Sequence, residues 1–234
     1  MSGHSKWSKI KRKKGVNDAR RSANFTKLAN AISLAARGGS DPDTNFKLKM
    51  AIDKAKSNSL PKDNIDRAIK RGTGEIEGQQ IEELTYEGYG PEGVAIIVEI
   101  VTDNKNRSSQ EVKHILSKYG GKLAGPGSVM WQFDYKGVVT LELDKLDDDT
   151  QLLLIDAGAE DIKTDGGITL ITQTDNLNIL KNKVVELKLP LIDHILEYVP
   201  KETVKPTNEN SLLKLFDELD ECDDVNNFFS NADL

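Results

Sequence analysis

Apolar positions recur at helical spacing through the first third of the chain. Phe25, Leu28, Ala29, Ile32 and Ala36 form one stripe, which predicts a helix over 17–37. Asn17 suits its N-cap, Asp18 its first turn, and Gly38-Gly39 closes it. Leu48, Ala51, Ile52 and Ala55 mark a second helix over 44–57. Ile65, Ala68 and Ile69 mark a third, opening near Pro61 and ending at Gly72. Three short amphipathic helices read as a bundle, with a core thin enough to lean on another domain or on a ligand.

After a polar stretch at 73–80 the period changes. Leu84–Tyr89 and Val94–Thr102 read as strands around Gly90-Pro91-Glu92-Gly93, the second apolar enough to be central in a sheet. A helix over Ser108–Tyr119 and a strand over Ser128–Phe133 follow. The next elements run strand Val138–Leu143, helix Asp148–Ala157, strands Asp161–Thr164 and Ile168–Gln173, helix Asn176–Leu187 and strand His194–Val199. That order, βαββαβ, is the ferredoxin-like pattern. The tail, helix Ser211–Leu219 and strand Val225–Phe229, has no place in a completed βαββαβ unit, whereas the middle segment lacks an αβ element. The expected fold is therefore α+β. It has an N-terminal three-helix bundle (1–76), a middle α/β domain completed by the C-terminal helix and strand (80–135 plus 206–234), and an inserted ferredoxin-like domain (136–205).

Charge divides the chain more sharply than hydropathy. Residues 1–72 carry 18 Lys and Arg against 6 Asp and Glu, a net of +12. Residues 73–234 carry 14 against 32, a net of −18, and the two give the whole-chain −6. Such asymmetry points to a polyanion-binding head on an acidic trunk that the same polyanion avoids. No apolar run is long enough to cross a membrane, and the basic N-terminus leads into polar residues rather than a signal-peptide core. The single cysteine, Cys222, fits a reducing, cytoplasmic setting.

The densest cations are Lys6, Lys9, Lys11, Arg12, Lys13 and Lys14, with Arg20, Arg21 and Lys27 on the first helix. Clustered cations neutralise phosphates and release counterions. Trp7 either stacks on an exposed base or packs on the bundle. Lys47, Lys49, Lys54, Lys56, Lys62, Arg67, Lys70 and Arg71 are a second set, read equally as a binding face or as ordinary solvated helix surface. A second contact is offered by Asp103, Asn104, Asn106 and Arg107, between a strand end and a helix start, and by Gly127 and Ser128 in a glycine-rich loop. The plainer alternatives are that Asn106 or Ser108 caps the helix and that the glycines serve turns. His4, His114 and His194 are scattered, and no triad, metal-ligand spacing or phosphate-binding loop appears. The sequence therefore points to no catalytic residue and no metal.

Whole segments also resemble a known family. They begin with Gly3-His4-Ser5-Lys6-Trp7, Phe25-Thr26-Lys27, Ala35-Ala36-Arg37-Gly38-Gly39 and Arg71-Gly72. They continue with Tyr86-Glu87-Gly88-Tyr89-Gly90-Pro91, Thr102-Asp103-Asn104-Lys105-Asn106-Arg107, Gly127-Ser128-Val129, Asp223-Asp224-Val225 and Asn231-Ala232-Asp233. In these the chain resembles the YebC/PmpR family along nearly its whole length. The resemblance implies the same three-domain architecture, a cytoplasmic, non-enzymatic protein without a cofactor, and DNA binding in transcription regulation. It carries an alternative implication through a mitochondrial translational activator. On that view the chain is a ribosome-associated translation factor that contacts ribosomal RNA and eases elongation through proline-rich stretches.

Overall fold

In a computed structural model of the chain, residues 19–76, 81–164 and 167–234 are described, with side chains from residue 25 onward. They fall into two compact bodies, 19–130 with 206–228 and 131–205 with 229–234.

The first body opens with α1 (Ala19–Ala36), α2 (Phe46–Ser57) and α3 (Lys62–Gly72). The expected stripes meet in one core, where Leu28 and Ile32 of α1, Leu48 and Ile52 of α2, and Ile65 and Ala68 of α3 are buried. Asn45 joins α1 to α2. Its side chain accepts from the Leu48 amide at 3.1 Å as N-cap and donates to the Ala35 and Gly39 carbonyls at 2.7 and 2.8 Å. The buried Ser33 hydroxyl of α1 donates to the Ala68 carbonyl of α3 at 2.7 Å. One turn on, Gly72 lets the two backbones touch, because a Cβ there would stand 2.1 Å from the Ser33 carbonyl oxygen.

The same body continues into β1 (Glu82–Tyr89), β2 (Ala95–Thr102), α4 (Lys105–Lys118) and β3 (Lys122–Ala124), and it regains α7 (Glu209–Glu221) and most of β8 (Val225–Ser230) from the tail. The sheet order is β3-β1-β2-β8, so the C-terminal strand does complete this sheet. β1 and β2 form an antiparallel hairpin registering Tyr89 with Ala95 and Glu82 with Thr102. Strand β3 was not anticipated; three residues are too few to show an alternation. Helix α4 starts at Lys105 rather than Ser108. Its cap is Asn104, whose side chain accepts from the Arg107 amide at 3.1 Å, and not Asn106 or Ser108.

The second body holds β4 (Phe133–Leu141), α5 (Asp148–Asp156), β5 (Ala159–Lys163), β6 (Ile168–Thr172), α6 (Leu177–Glu186) and β7 (Leu191–Pro200). Its sheet order is β5-β6-β4-β7 with every neighbour antiparallel, the arrangement expected of a ferredoxin-like unit. Val139, Leu141, Ile168 and Leu170 of the sheet meet Leu154 of α5 and Leu180 and Val184 of α6. The strands expected over 128–133 and 138–143 are replaced by a 3-10 turn at Met130–Gln132 and one strand from Phe133 to Leu141. Gly137 is a place of close approach inside β4, where a Cβ would lie 2.9 Å from Thr172 and 3.0 Å from Leu177.

Candidate nucleic-acid interface

Lys6, Trp7, Lys9, Lys11, Arg12, Lys13 and Lys14 lie outside the described residues, as do the side chains of Arg20 and Arg21, whose backbone belongs to α1. Lys27, further along α1, is half-buried and turned toward α7. Its ammonium donates to the Asp220 carbonyl in the last turn of that helix, where the helix dipole favours a cation.

The cations of α2 and α3 are better placed to meet a ligand. Lys47, Lys49, Lys54, Lys56, Lys62, Arg67, Lys70 and Arg71 are all exposed. Arg71 donates to the Asn30 side chain at 2.9 Å, and Lys49 stands 3.8 Å from Asp43. The other six make no ion pair among the described residues. Cations without carboxylate partners keep their full attraction for an external anion.

The loop at Thr102–Arg107 is held from the far end of the chain. Asp224, only 7% exposed, accepts from Arg107 Nη2 at 2.9 and 3.0 Å, from the Ser108 hydroxyl at 2.6 Å and from the Thr102 hydroxyl at 3.1 Å. Arg107 also pairs with Asp103 at 3.1 Å. The hydrogen bond to Asp224, with smaller contributions from the Asp224 and Asp103 charges, pushes the guanidinium above its ordinary range against the opposing effect of burial. Through Nε and Nη2 Arg107 serves first the junction of β2, α4 and β8, while its side chain stays 46% exposed. Asn104 serves as the cap, and Asn106 is exposed in the first turn of α4.

Gly127 and Ser128 lie in a loop anchored separately by Glu87 of β1. This carboxylate, 5% exposed, accepts the backbone N–H groups of Gly127, Val129 and Met130 at 2.5, 2.7 and 2.8 Å. The Ser128 carbonyl accepts from Tyr89 at 3.0 Å. Burial pushes the Glu87 carboxyl up, but the three amide donors outweigh it, and the group sits below its ordinary value of 4.5. Glu87 went unremarked as a functional position because a strand glutamate looks solvent-facing by pattern. Replacement by Gln swaps one acceptor oxygen for a donor, which then faces either the Gly127 amide or the Val129 and Met130 amides, and should cost about 2 kcal/mol of stability. The sign with pH follows from the lowered value. The unfolded carboxyl takes up a proton before the folded one does, so the contribution is complete above pH 4.5 and is lost as pH falls through the lower folded value. Urea midpoints of the parent and Glu87→Gln at pH 7 and pH 3.5 check this, with the gap expected to narrow at acid pH.

A cleft of about 620 Å³ in the same body is lined by six carboxylates against Arg71 and Arg107. Its sign repels phosphate, whereas the exposed cations of α2 and α3 attract it, and these make the candidate interface.

Among the described residues no helix is long and apolar enough to cross a membrane. Comparisons with known proteins cover the whole chain. Residues 5–75 match the model described as the TACO1/YebC protein N-terminal domain, and residues 81–232 match that of the TACO1/YebC second and third domain. Proteins named "probable transcriptional regulatory protein" from Desulfatibacillum aliphaticivorans and Thermotoga petrophila are 46% and 45% identical, covering 100% of this chain and 97% and 94% of their own lengths. The crystal structure of a conserved hypothetical protein from Aquifex aeolicus is 36% identical with a TM-score of 0.78, covering 92% of this chain and 91% of that one. With both family models and full-length relatives agreeing, the chain belongs to the TACO1/YebC family.

Proposed function

We propose that this chain is a non-enzymatic, cytoplasmic regulator of gene expression that holds nucleic acid against its cationic N-terminal region, residues 1–76. The relatives' names make DNA, in transcriptional control, the first polymer to consider. The observation that carries the reading is electrostatic. Exposed cations, most of them without an ion pair among the described residues, gather on α2 and α3, while Asp224 and Glu87 engage the polar groups of the Thr102–Arg107 and Gly127–Met130 loops. On this reading Lys6, Lys9, Lys11, Arg12, Lys13 and Lys14 extend the same surface, Arg20 and Arg21 join it to α1, and Trp7 adds a stacking surface. Asp103–Arg107 and Gly127–Ser128 form shaped, rigid loops available for a secondary contact through Asn106 and backbone groups.

Binding of the full chain to labelled duplex DNA, to structured RNA and to purified ribosomes, each across a salt series, tests the reading. A steep fall of affinity with salt is expected for the phosphate polymer it serves. Equal, salt-insensitive indifference to all three contradicts the proposal. A large preference for ribosomes over duplex would move the chain from transcription to translation.

A further inference from the structure

On α2, Leu48, Ile52 and Ala55 are buried against the bundle core. The opposite face is not a plain polar one. Phe46 is 63% exposed and Met50, one turn on, is 39% exposed. At i, i+4 spacing the two residues fall on the same outward face of the helix. Helical geometry places Lys47 and Lys54 along one edge of this pair and Lys49 and Lys56 along the other, and all four are exposed. Asp53, the one carboxylate of the helix, is exposed on the Lys49 and Lys56 side of the pair, so the Lys47 and Lys54 edge is the more strongly cationic. Lys47, Lys54 and Lys56 make no ion pair among the described residues, and the 3.8 Å approach of Lys49 to the exposed Asp43 is weak in water.

A ring left in water between two rows of ammonium groups needs a ligand that is apolar and flat in the middle and anionic at its edges. Duplex DNA satisfies the edges alone, because its bases are stacked away from a side chain lying outside the grooves. An unpaired strand satisfies both, since each base has a face free to stack and each linkage carries a phosphate. The polarisable sulfur of Met50 widens the platform.

We infer that the outer face of α2 is a platform for unpaired nucleic acid. Phe46 with Met50 stacks a base, and the flanking lysine pairs hold phosphates on either side. The inference rests on the proposed nucleic-acid reading and narrows its ligand to single-stranded or looped segments, whether melted DNA or RNA.

The test uses the full chain with oligothymidylate, oligouridylate and a DNA duplex of equal length as labelled probes. Phe46→Ala should weaken binding of the single strands about 5- to 100-fold and leave the duplex unchanged, with the salt slope preserved. Phe46→Tyr should restore single-strand affinity. Lys47→Gln with Lys54→Gln should instead flatten the single-strand salt slope by about 1.4. Phe46→Trp should show emission quenched by either oligonucleotide beyond any change in the parent. Tighter binding of oligouridylate assigns the platform to RNA, and of oligothymidylate to melted DNA; both require the dependence on Phe46. Single-strand binding indifferent to Phe46→Ala, or weakened equally with duplex, overturns the inference and leaves the broader reading standing. Failure of the parent protein to bind any probe overturns both.

Discussion

Replacing Lys11, Arg12, Lys13 and Lys14 together by alanine is expected to lower nucleic-acid affinity roughly 100-fold or more at moderate salt. The argument is counterion release. Each phosphate neutralised by a fixed cation frees a condensed ion, and the gain shows as a slope of about −0.9 per contact in log affinity against log salt for duplex. Four cations that each meet one phosphate account for a slope change of up to about 3.6. Substitutions that merely unfolded the protein would abolish binding at every salt. Loss of contacts instead makes the two salt titrations converge at high ionic strength. The four residues sit in the run Ser5–Lys14, which holds six cations and no carboxylate, so no internal ion pair within the run competes for them. Parallel titrations of parent and variant by fluorescence anisotropy measure the slope directly. An unchanged slope removes the arm from the interface.

Gly72→Ala should produce the largest loss of stability. Two effects oppose each other. Alanine in place of glycine favours a helix by about 1 kcal/mol. Against this, the new Cβ would stand 2.1 Å from the Ser33 carbonyl oxygen and 2.8 Å from the Ala36 Cβ. Neither is the far end of a flexible side chain. Relief requires α1 and α3 to separate, which stretches the 2.7 Å bond from Ser33 to the Ala68 carbonyl and opens the core around Ile32 and Ala68. Overpacking of this kind costs about 3 kcal/mol or more, so the clash outweighs the propensity gain. Hydrogen exchange should show protection lost first across residues 19–72, with nucleic-acid affinity falling alongside. The strands of the ferredoxin-like body should keep their protection. A variant with parent-like protection throughout would mean that the helices are not packed at this distance.

Much of the fold could be read from the sequence, because it rests on local periodicity and on one topological argument. The stripes of α1, α2 and α3 all turned out to face the bundle core. The surplus helix and strand at the C-terminus had nowhere to go but the incomplete sheet, and β8 lies beside β2. What could not be read depends on partners far apart in the chain. Nothing around Asp224 announces that its carboxylate holds Arg107, Ser108 and Thr102. Nothing around Glu87 announces three amides from a loop 40 residues on.

The candidate interface shows the same division. Net charge identified the cationic head, but the count of cations does not say which are engaged. Lys27 is directed at the end of α7, Arg71 at Asn30 and Arg107 at Asp224, whereas Lys54, Lys56 and Arg67 remain exposed without ion pairs among the described residues. Phe46 drew no notice in the sequence, since one aromatic at the start of a helix is ordinarily core. Its exposure becomes visible only when the buried face of α2 is known.

Photocrosslinking of the full chain to nucleic acid in living cells, followed by mass-spectrometric mapping of the adducts, tests the electrostatic division most directly. Adducts concentrated in residues 1–76, with few on the acidic remainder, are the predicted result. Adducts spread over residues 131–205, with none in the first 76, would contradict it.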